Sequence, residues 1–238
     1  MAFFNRRLYT QKPRQWGPVS AVQRSIFENA ERAGIDPGLI KSFVPFWERA
    51  ELPRCMFGTT ITKTDPALAN YWNADRYYIA GLSSPIFRFL ISVPSGSPRS
   101  VTVFSIHSVE STSGAGVIFR STAGDSIFNW RNSGFDLRLG GVNYAAAGTY
   151  NLSQKYTSAV VGDTDSAKLY VDGALLINGS APGTTQYTGG INIGCDPNGG
   201  GQANLFLDYF LLIQAAIPQS KIAYLSDNPY FLLHRVAP

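Results

Sequence analysis

The residues that most often carry chemistry are few in this chain, and their spacing suits chemistry poorly. Glycoside hydrolysis needs two carboxylates flanking the scissile bond. After Glu51 the chain holds one glutamate, Glu110, with neither Asp nor Glu two positions away. Asp163 and Asp165 stand close together, but in the run Gly162-Asp-Thr-Asp-Ser166, where carboxylates support a turn by accepting from nearby backbone N–H groups. His107, beside Ser105 and Ser108, has no motif that would complete a Ser-His-Asp arrangement and reads as a partly exposed surface histidine. His234 lies in the C-terminal tail. Two histidines and two cysteines, Cys55 and Cys195, leave too few ligands for a closed zinc site and exclude a disulfide framework. The cysteines read as free, buried thiols. Asp163, Asp165, Asp196 and Asn198 are oxygen donors in loops, without the ligand spacing of an EF-hand. The expectation is a protein with no catalytic residues and no cofactor, with a calcium ion at the loop rim as the alternative use of those oxygens.

Binding chemistry has better candidates. A sugar ring presents a C–H face to an aromatic plate and hydroxyls to polar groups around it. Phe128-Asn129-Trp130-Arg131-Asn132 combines those types at a strand end, with Tyr144 in a nearby loop. Trp130, Arg131 and Tyr144 are therefore the candidate glycan-binding residues, the competing reading being that Trp130 belongs to the core. Tyr71-Trp72-Asn73 is a weaker case.

Charge points to a second candidate. Residues 1–54 hold nine Lys/Arg and five acids and so carry the whole net charge of +4; the remainder is neutral. Arg6, Arg7, Lys12 and Arg14 precede any acid and are interleaved with Phe3, Phe4, Tyr9 and Trp16. A basic, aromatic arm without periodicity suits an acidic protein surface, the competing reading being a terminal arm that lies along its own domain or a neighbour's, while nucleic acid normally requires a basic face. Arg6, Arg7, Tyr9, Lys12, Arg14 and Trp16 are read as anchoring or interface residues, since arginines and aromatic rings make strong, area-burying contacts.

The elements that must position these residues fall into two regions. Ser20-Ala-Val-Gln23 reads as a capping box opening a helix, with Val22, Ile26, Ala30 and Ala33 as its apolar stripe and Gly34 as its stop. Asp36-Pro37 reads as the start of a second helix, with Leu39, Ile40, Phe43, Val44, Phe46 and Trp47 as its apolar side and an end near Pro45. After Cys55, runs rich in β-branched and aromatic residues recur between Gly, Pro, Asn and Ser clusters, as in an antiparallel sandwich. Strands are expected near 77–79, 86–93, 100–107, 116–121, 126–130, 135–139, 149–152, 157–162, 167–171, 174–178, 190–194 and 203–213. Asp172-Gly173 between two apolar runs marks a two-residue hairpin. Ile217 to Leu225 reads as a short helix with Ile222 and Leu225 inward, and residues 227–238 as an extended apolar tail. No run approaches the roughly 18 apolar residues of a membrane-spanning helix, and Met1 to Arg7 lacks the order of a secretory signal. The chain divides on this reading into an arm (1–19), a helical segment (20–54), a sandwich (55–226) and a tail (227–238).

The order of features from Thr149 onward resembles the laminin-G-like or concanavalin-A-like jelly roll. The residues concerned are Tyr156 to Asp163, Ala167-Lys-Leu-Tyr-Val-Asp-Gly173, Ile191-Asn-Ile-Gly194, the Gly-rich Pro197 to Gly201, and Leu205 to Ile213 with Asp208 at the family's aspartate. Ala74 to Gly81 is similar to that family's first strand. The resemblance implies a mainly β, antiparallel jelly-roll sandwich, here with a small N-terminal helical extension. Leu225-Ser-Asp-Asn-Pro-Tyr-Phe231 and the opening Asn5 to Pro13 are similar to segments of phage and prophage structural proteins. That second resemblance implies a virion surface component on head or tail, such as a decoration protein, fibre or spike, with capsid, portal, collar or tail proteins as partners.

Two functional expectations follow. One is a non-enzymatic phage structural protein at the particle surface, anchored through its N-terminal region and self-associating through its helices and apolar tail. The other is a carbohydrate-binding module for a host surface glycan. Membrane and nucleic acid are not expected partners.

Overall fold

Alternation of apolar and polar residues builds the strands, and their pairing builds two sheets. The computed structural model describes residues 19–45, 56–57, 61–63, 71–73, 76–80, 89–91, 100–112, 116–121, 127–131, 134–145, 149–180, 190–193 and 203–234. The basic arm, Phe46, Trp47, Cys55, Cys195, Asp196 and Asn198 lie outside the described residues. The strands are β1 (Ile40–Pro45), β2 (Ile61–Lys63), β3 (Tyr71–Asn73), β4 (Arg76–Ala80), β5 (Phe89–Ile91), β6 (Val101–Thr112), β7 (Gly116–Ser121), β8 (Ile127–Arg131), β9 (Gly134–Leu139), β10 (Val142–Ala145), β11 (Tyr156–Gly162), β12 (Ala167–Val171), β13 (Ala174–Gly179), β14 (Ile191–Ile193) and β15 (Ala203–Ile213). The first sheet runs β13-β12-β11-β6-β15-β4-β3, with β1 also beside β15; the second runs β10-β9-β8-β7-β14-β5-β2. The pairings are antiparallel throughout the described residues. The fold is the expected antiparallel jelly-roll sandwich with a small N-terminal helical extension.

Between the sheets lies an apolar core. Val103, Val160, Leu205 and Phe210 of the first sheet meet Ile118, Phe128, Leu137 and Ile193 of the second. Its centre is aromatic: the Phe128 ring lies 5.2 Å from that of Phe119 and 5.3 Å from that of Phe135. His107 belongs to this core and is fully buried, which corrects its reading as a surface residue. Strand alternation explains the burial, because Val101, Val103, His107 and Val109 occupy the same parity on β6. The imidazole meets Phe128 and Phe135 edge-on at 5.7 and 5.9 Å, and its Nδ1 lies 3.2 Å from the Ser105 hydroxyl.

The first sheet is buried on its other face as well. Helix α1 (Val19–Arg32) lays Val22, Ile26 and Ala30 on it, beside Ile222 and Leu225 of helix α2 (Gln219–Asp227). The α1 terminus is the expected one: Gly34 has φ +69°, Gly34 N–H donates to Glu31 O, and Ile35 N–H donates to Ala30 O, which is a Schellman closure. The start differs. The helix begins at Val19, so Ser20 lies within it, and the Gln23 amide donates to the Met56 carbonyl instead of reaching back.

The second expected helix is replaced by a strand. Asp36 does cap a turn, accepting from Gly38 N–H at 2.8 Å, but only the 3-10 turn Pro37–Leu39 follows. Ile40–Pro45 then pairs with β15, Val44 opposite Phe210 and Pro45 opposite Tyr209. Pairing with β4 ends at Leu207, so the rest of β15 offers a ladder that β1 continues. That ladder outweighs the local helix signal. Thr149–Leu152 carries no strand, whereas β1, β2, β3 and β10 go beyond the strands expected from sequence.

Over its described residues, 227–234, the tail is not extended. Tyr230, Phe231, Leu232 and Leu233 are buried, in part as a 3-10 turn under α1. Asn29 Nδ2 donates to the carbonyls of Phe231 (3.0 Å) and His234 (2.7 Å). These apolar side chains find their partner within the chain.

Candidate ligand-binding face

The sequence candidates are dispersed rather than gathered. The anchoring residues Arg6, Arg7, Tyr9, Lys12, Arg14 and Trp16 lie outside the described residues. Trp130 and Arg131 belong to β8, Trp130 opposite Gly116 and Phe135 and Arg131 opposite Gly134; their side chains are outside the described set. Tyr144 sits on the edge strand β10 and reaches the edge of the other sheet. Its hydroxyl donates to the Ser180 carbonyl, and its ring covers Gly179 so closely that a Cβ there would collide with it. Burial pushes its phenol above the usual pKa range. Tyr144 thus closes one side of the sandwich.

The acidic residues serve the loops. Asp163 accepts from the Ser100 hydroxyl and, at 2.8 Å, from Thr164 N–H, and these bonds hold its carboxyl below the usual range. Both oxygens of Glu110 accept hydroxyls, from Ser108 (2.7 Å) and Ser153 (2.6 Å), which fixes the loop before β11. Among the described residues no group of three or more His, Cys, Asp or Glu is placed to hold a metal ion. No described helix is long and apolar enough to cross a membrane.

What the structure does bring together lies on the outer face of the second sheet. The pairing register aligns Asn143, Arg138, Ile127, Arg120 and Asn192 in one row across β10, β9, β8, β7 and β14. Each described neighbour along its strand turns inward: Phe119 and Ser121 beside Arg120, Leu137 and Leu139 beside Arg138, Ile191 and Ile193 beside Asn192. Among the described residues the helices pack on the first sheet, and the apolar cluster that buries them contains no residue of β7, β8, β9, β10 or β14.

Two guanidiniums on one sheet face repel each other. Partial burial and the neighbouring Arg138 charge lower the pKa of Arg120 from its ordinary value, burial being the larger cause. Asn192 is 2% exposed, and its Nδ2 has no hydrogen-bond partner among the described residues. The buried Nε of Arg138 is in the same position. The row therefore sets planar, forked donors beside a buried carboxamide. It holds no nucleophile with an adjacent base. Such a surface can bind hydroxyls, carboxylates or other oxygen-rich groups.

Solved structures share this architecture. The receptor-binding domain of botulinum neurotoxin D matches with a TM-score of 0.64 and 11% identity, over 80% of this chain and 53% of that one. Trypanosoma rangeli sialidase in complex with sialic acid matches at 0.66 and 11% identity, over 90% of this chain and 38% of that one. A third match is to botulinum neurotoxin type C, whose cell entry depends on interaction with two ganglioside molecules, at 0.57 and 12% identity over 79% and 51%. The likeness is one of fold, and the chain spans about half the length of the neurotoxin chains. No family model matches the chain, and no curated protein matches it in sequence.

Sequence reasoning missed Arg120, Arg138 and Asn192, although each carries a signal. Ile118-Phe-Arg-Ser121, Phe135-Asp-Leu-Arg-Leu139 and Ile191-Asn-Ile193 each place a long polar residue between inward-facing ones. The alternation marks them as outward. Their convergence depends on β14 pairing with β7, across about 70 residues of chain.

Proposed function

We propose that this protein is a carbohydrate-binding β-sandwich module that recognises a surface glycan. The observation that carries this reading is the row of Arg138, Arg120 and Asn192, polar and desolvated in part or whole, on the sheet face against which no described helix packs. Saccharide hydroxyls are matched by forked donors and amides held on rigid strands, and partial burial strengthens each bond. The fold likeness to proteins that bind sialic acid or gangliosides supports the same reading.

Glycan-array screening of the full chain, followed by calorimetry on the hits, tests it. A defined subset of glycans is expected to bind, and Asn192→Ala is expected to weaken binding roughly tenfold, the worth of one buried polar contact. Trp130→Ala serves as the second probe. If Trp130→Ala abolishes binding and Asn192→Ala leaves it intact, the site lies at the strand end instead; a silent array rejects the module altogether.

The setting of the module is part of the same proposal. The resemblance of Leu225–Phe231 and Asn5–Pro13 to phage structural proteins supports display on a virus particle, with Arg6, Arg7, Tyr9, Lys12, Arg14 and Trp16 seated on a neighbouring protein. Deleting residues 1–18 is then expected to abolish particle association while the sandwich still folds. Retained association refutes the anchor.

A further inference from the structure

We infer that Asn178 is a site of spontaneous deamidation, and that the Tyr144 side chain holds this site closed at the edge of the sandwich.

Asn178 stands near the end of β13, exposed to solvent, and is followed by Gly179. In an Asn-Gly pair the glycine nitrogen can attack the asparagine side-chain carbonyl, because the missing Cβ leaves the approach open. The Gly179 nitrogen bonds to Cγ of Asn178, and the side-chain amide leaves as ammonia with the Gly179 N–H proton. A five-membered succinimide remains. Water then adds to one of its two carbonyls and opens the ring, giving aspartate or isoaspartate. Water is the only other reactant.

The fold opposes the first step. Ring closure requires the peptide plane between Asn178 and Gly179 to turn out of the extended strand conformation. Pairing of Asn178 with Lys168 and of Gly179 with Ala167 resists that turn from one side. Among the described residues β13 is an edge of the first sheet and β10 an edge of the second, so no further strand holds the other side. There the Tyr144 ring lies on Gly179, and its hydroxyl donates to the Ser180 carbonyl. One side chain thus pins the two residues that follow Asn178, at a strand end where local opening is otherwise easiest. Reaction has a lasting result. Aspartate places a carboxylate opposite Lys168, a favourable cross-strand pair. Isoaspartate lengthens the backbone and carries Gly179 and Ser180 out of register with Tyr144.

The full chain and its Tyr144→Phe and Tyr144→Ala variants are incubated in mildly alkaline buffer, and deamidation of Asn178 is followed by mass spectrometry of the digested protein. A synthetic peptide of residues 174–181 gives the rate without the fold. Asn198-Gly199, the same dipeptide elsewhere in the chain, is the internal reference. Asn178 of the parent is expected to react at least tenfold more slowly than the peptide. Tyr144→Phe keeps the ring and removes the donor, so it is expected to accelerate Asn178 about fivefold, the worth of one net hydrogen bond. Tyr144→Ala should accelerate it further, and the rate at Asn198 should stay the same. Circular dichroism establishes that the variants fold.

A parent rate equal to that of the peptide shows that nothing holds the site closed and overturns the inference. Equal rates in the parent and both variants assign the protection to the β12 ladder alone and remove Tyr144 from it. Equal acceleration of Asn178 and Asn198 in Tyr144→Phe marks general loosening of the chain and also overturns the clamp. An Asn178 that stays intact in the peptide and in every form of the chain is no deamidation site.

Discussion

The phenol of Tyr230 donates to the carboxylate of Asp208, which is fully buried on the first sheet. Asp208 occupies that position because β15 bulges there: Leu207 pairs with His107 and Tyr209 with Ile106, leaving Asp208 as the extra residue. Lys155 Nζ completes the arrangement, 3.0 Å from both the Asp208 carboxylate and the Tyr230 hydroxyl. A buried charge is thus compensated by a residue of the C-terminal segment, which ties that segment to the sheet. Tyr230→Phe keeps the ring and removes the donor. It is expected to lower stability by about 1.5–3 kcal/mol, the range for hydrogen bonds to charged groups, as read from the midpoint of urea unfolding.

Asn29 makes the second tie to the same segment. Its amide serves carbonyls of Phe231 and His234, the first of which also accepts from His234 N–H within the 3-10 turn. Asn29→Ala should cost about 1–3 kcal/mol and should expose residues beyond Asn228 to protease before the sandwich itself is cut. Unchanged digestion would show that the apolar contacts of Phe231, Leu232 and Leu233 suffice without the amide.

The hairpin between β12 and β13 has no tolerance for a side chain at its second turn position. Asp172 and Gly173 have φ of +48° and +78°. A Cβ on Gly173 would also lie 3.2 Å from Ala223 Cα, backbone of α2 that cannot swing aside. Gly173→Ala is therefore expected to cost about 1–3 kcal/mol, more than an ordinary exposed turn substitution, and differential scanning calorimetry would register it as a lower melting temperature.

Asp163 gives the protein an acid-sensitive contribution. Its carboxyl is held low chiefly by the Ser100 hydroxyl, then by Thr164 N–H. A depressed folded-state pKa gives stability that is fully present above the unfolded value, about 4, and is lost as pH falls through the folded value. Asp163→Asn should thus be less stable than the parent at neutral pH, with the difference shrinking as pH drops below about 4. Denaturation midpoints across that range check the sign; a gap that widens in acid contradicts it.

Local signals were legible wherever the chain itself enforces them. The Asp172-Gly173 turn, the Gly34 stop and the stripe of Val22, Ile26 and Ala30 appear in the structure as read from sequence. So do β7, β12 and β15 at their full expected spans, and α2 with Ile222 and Leu225 buried. Each depends on backbone preference or periodicity within a few residues. The segment from Ile40 failed that test because its apolar residues fit a helix or a strand equally well, and the open ladder on β15 chose the strand.

The amino-acid order by itself determined a two-sheet antiparallel fold, its tightest turn, its helix stop and the scarcity of catalytic groups, because these follow from side-chain size, φ preference and residue type. Only the tertiary structure decided where His107, the apolar tail and the arginines go. His107 is an inward position of β6, the tail is covered by α1, and Arg120, Arg138 and Asn192 become neighbours through strand pairing. Those outcomes come from contacts between residues distant in the chain, whose free energy no local window contains.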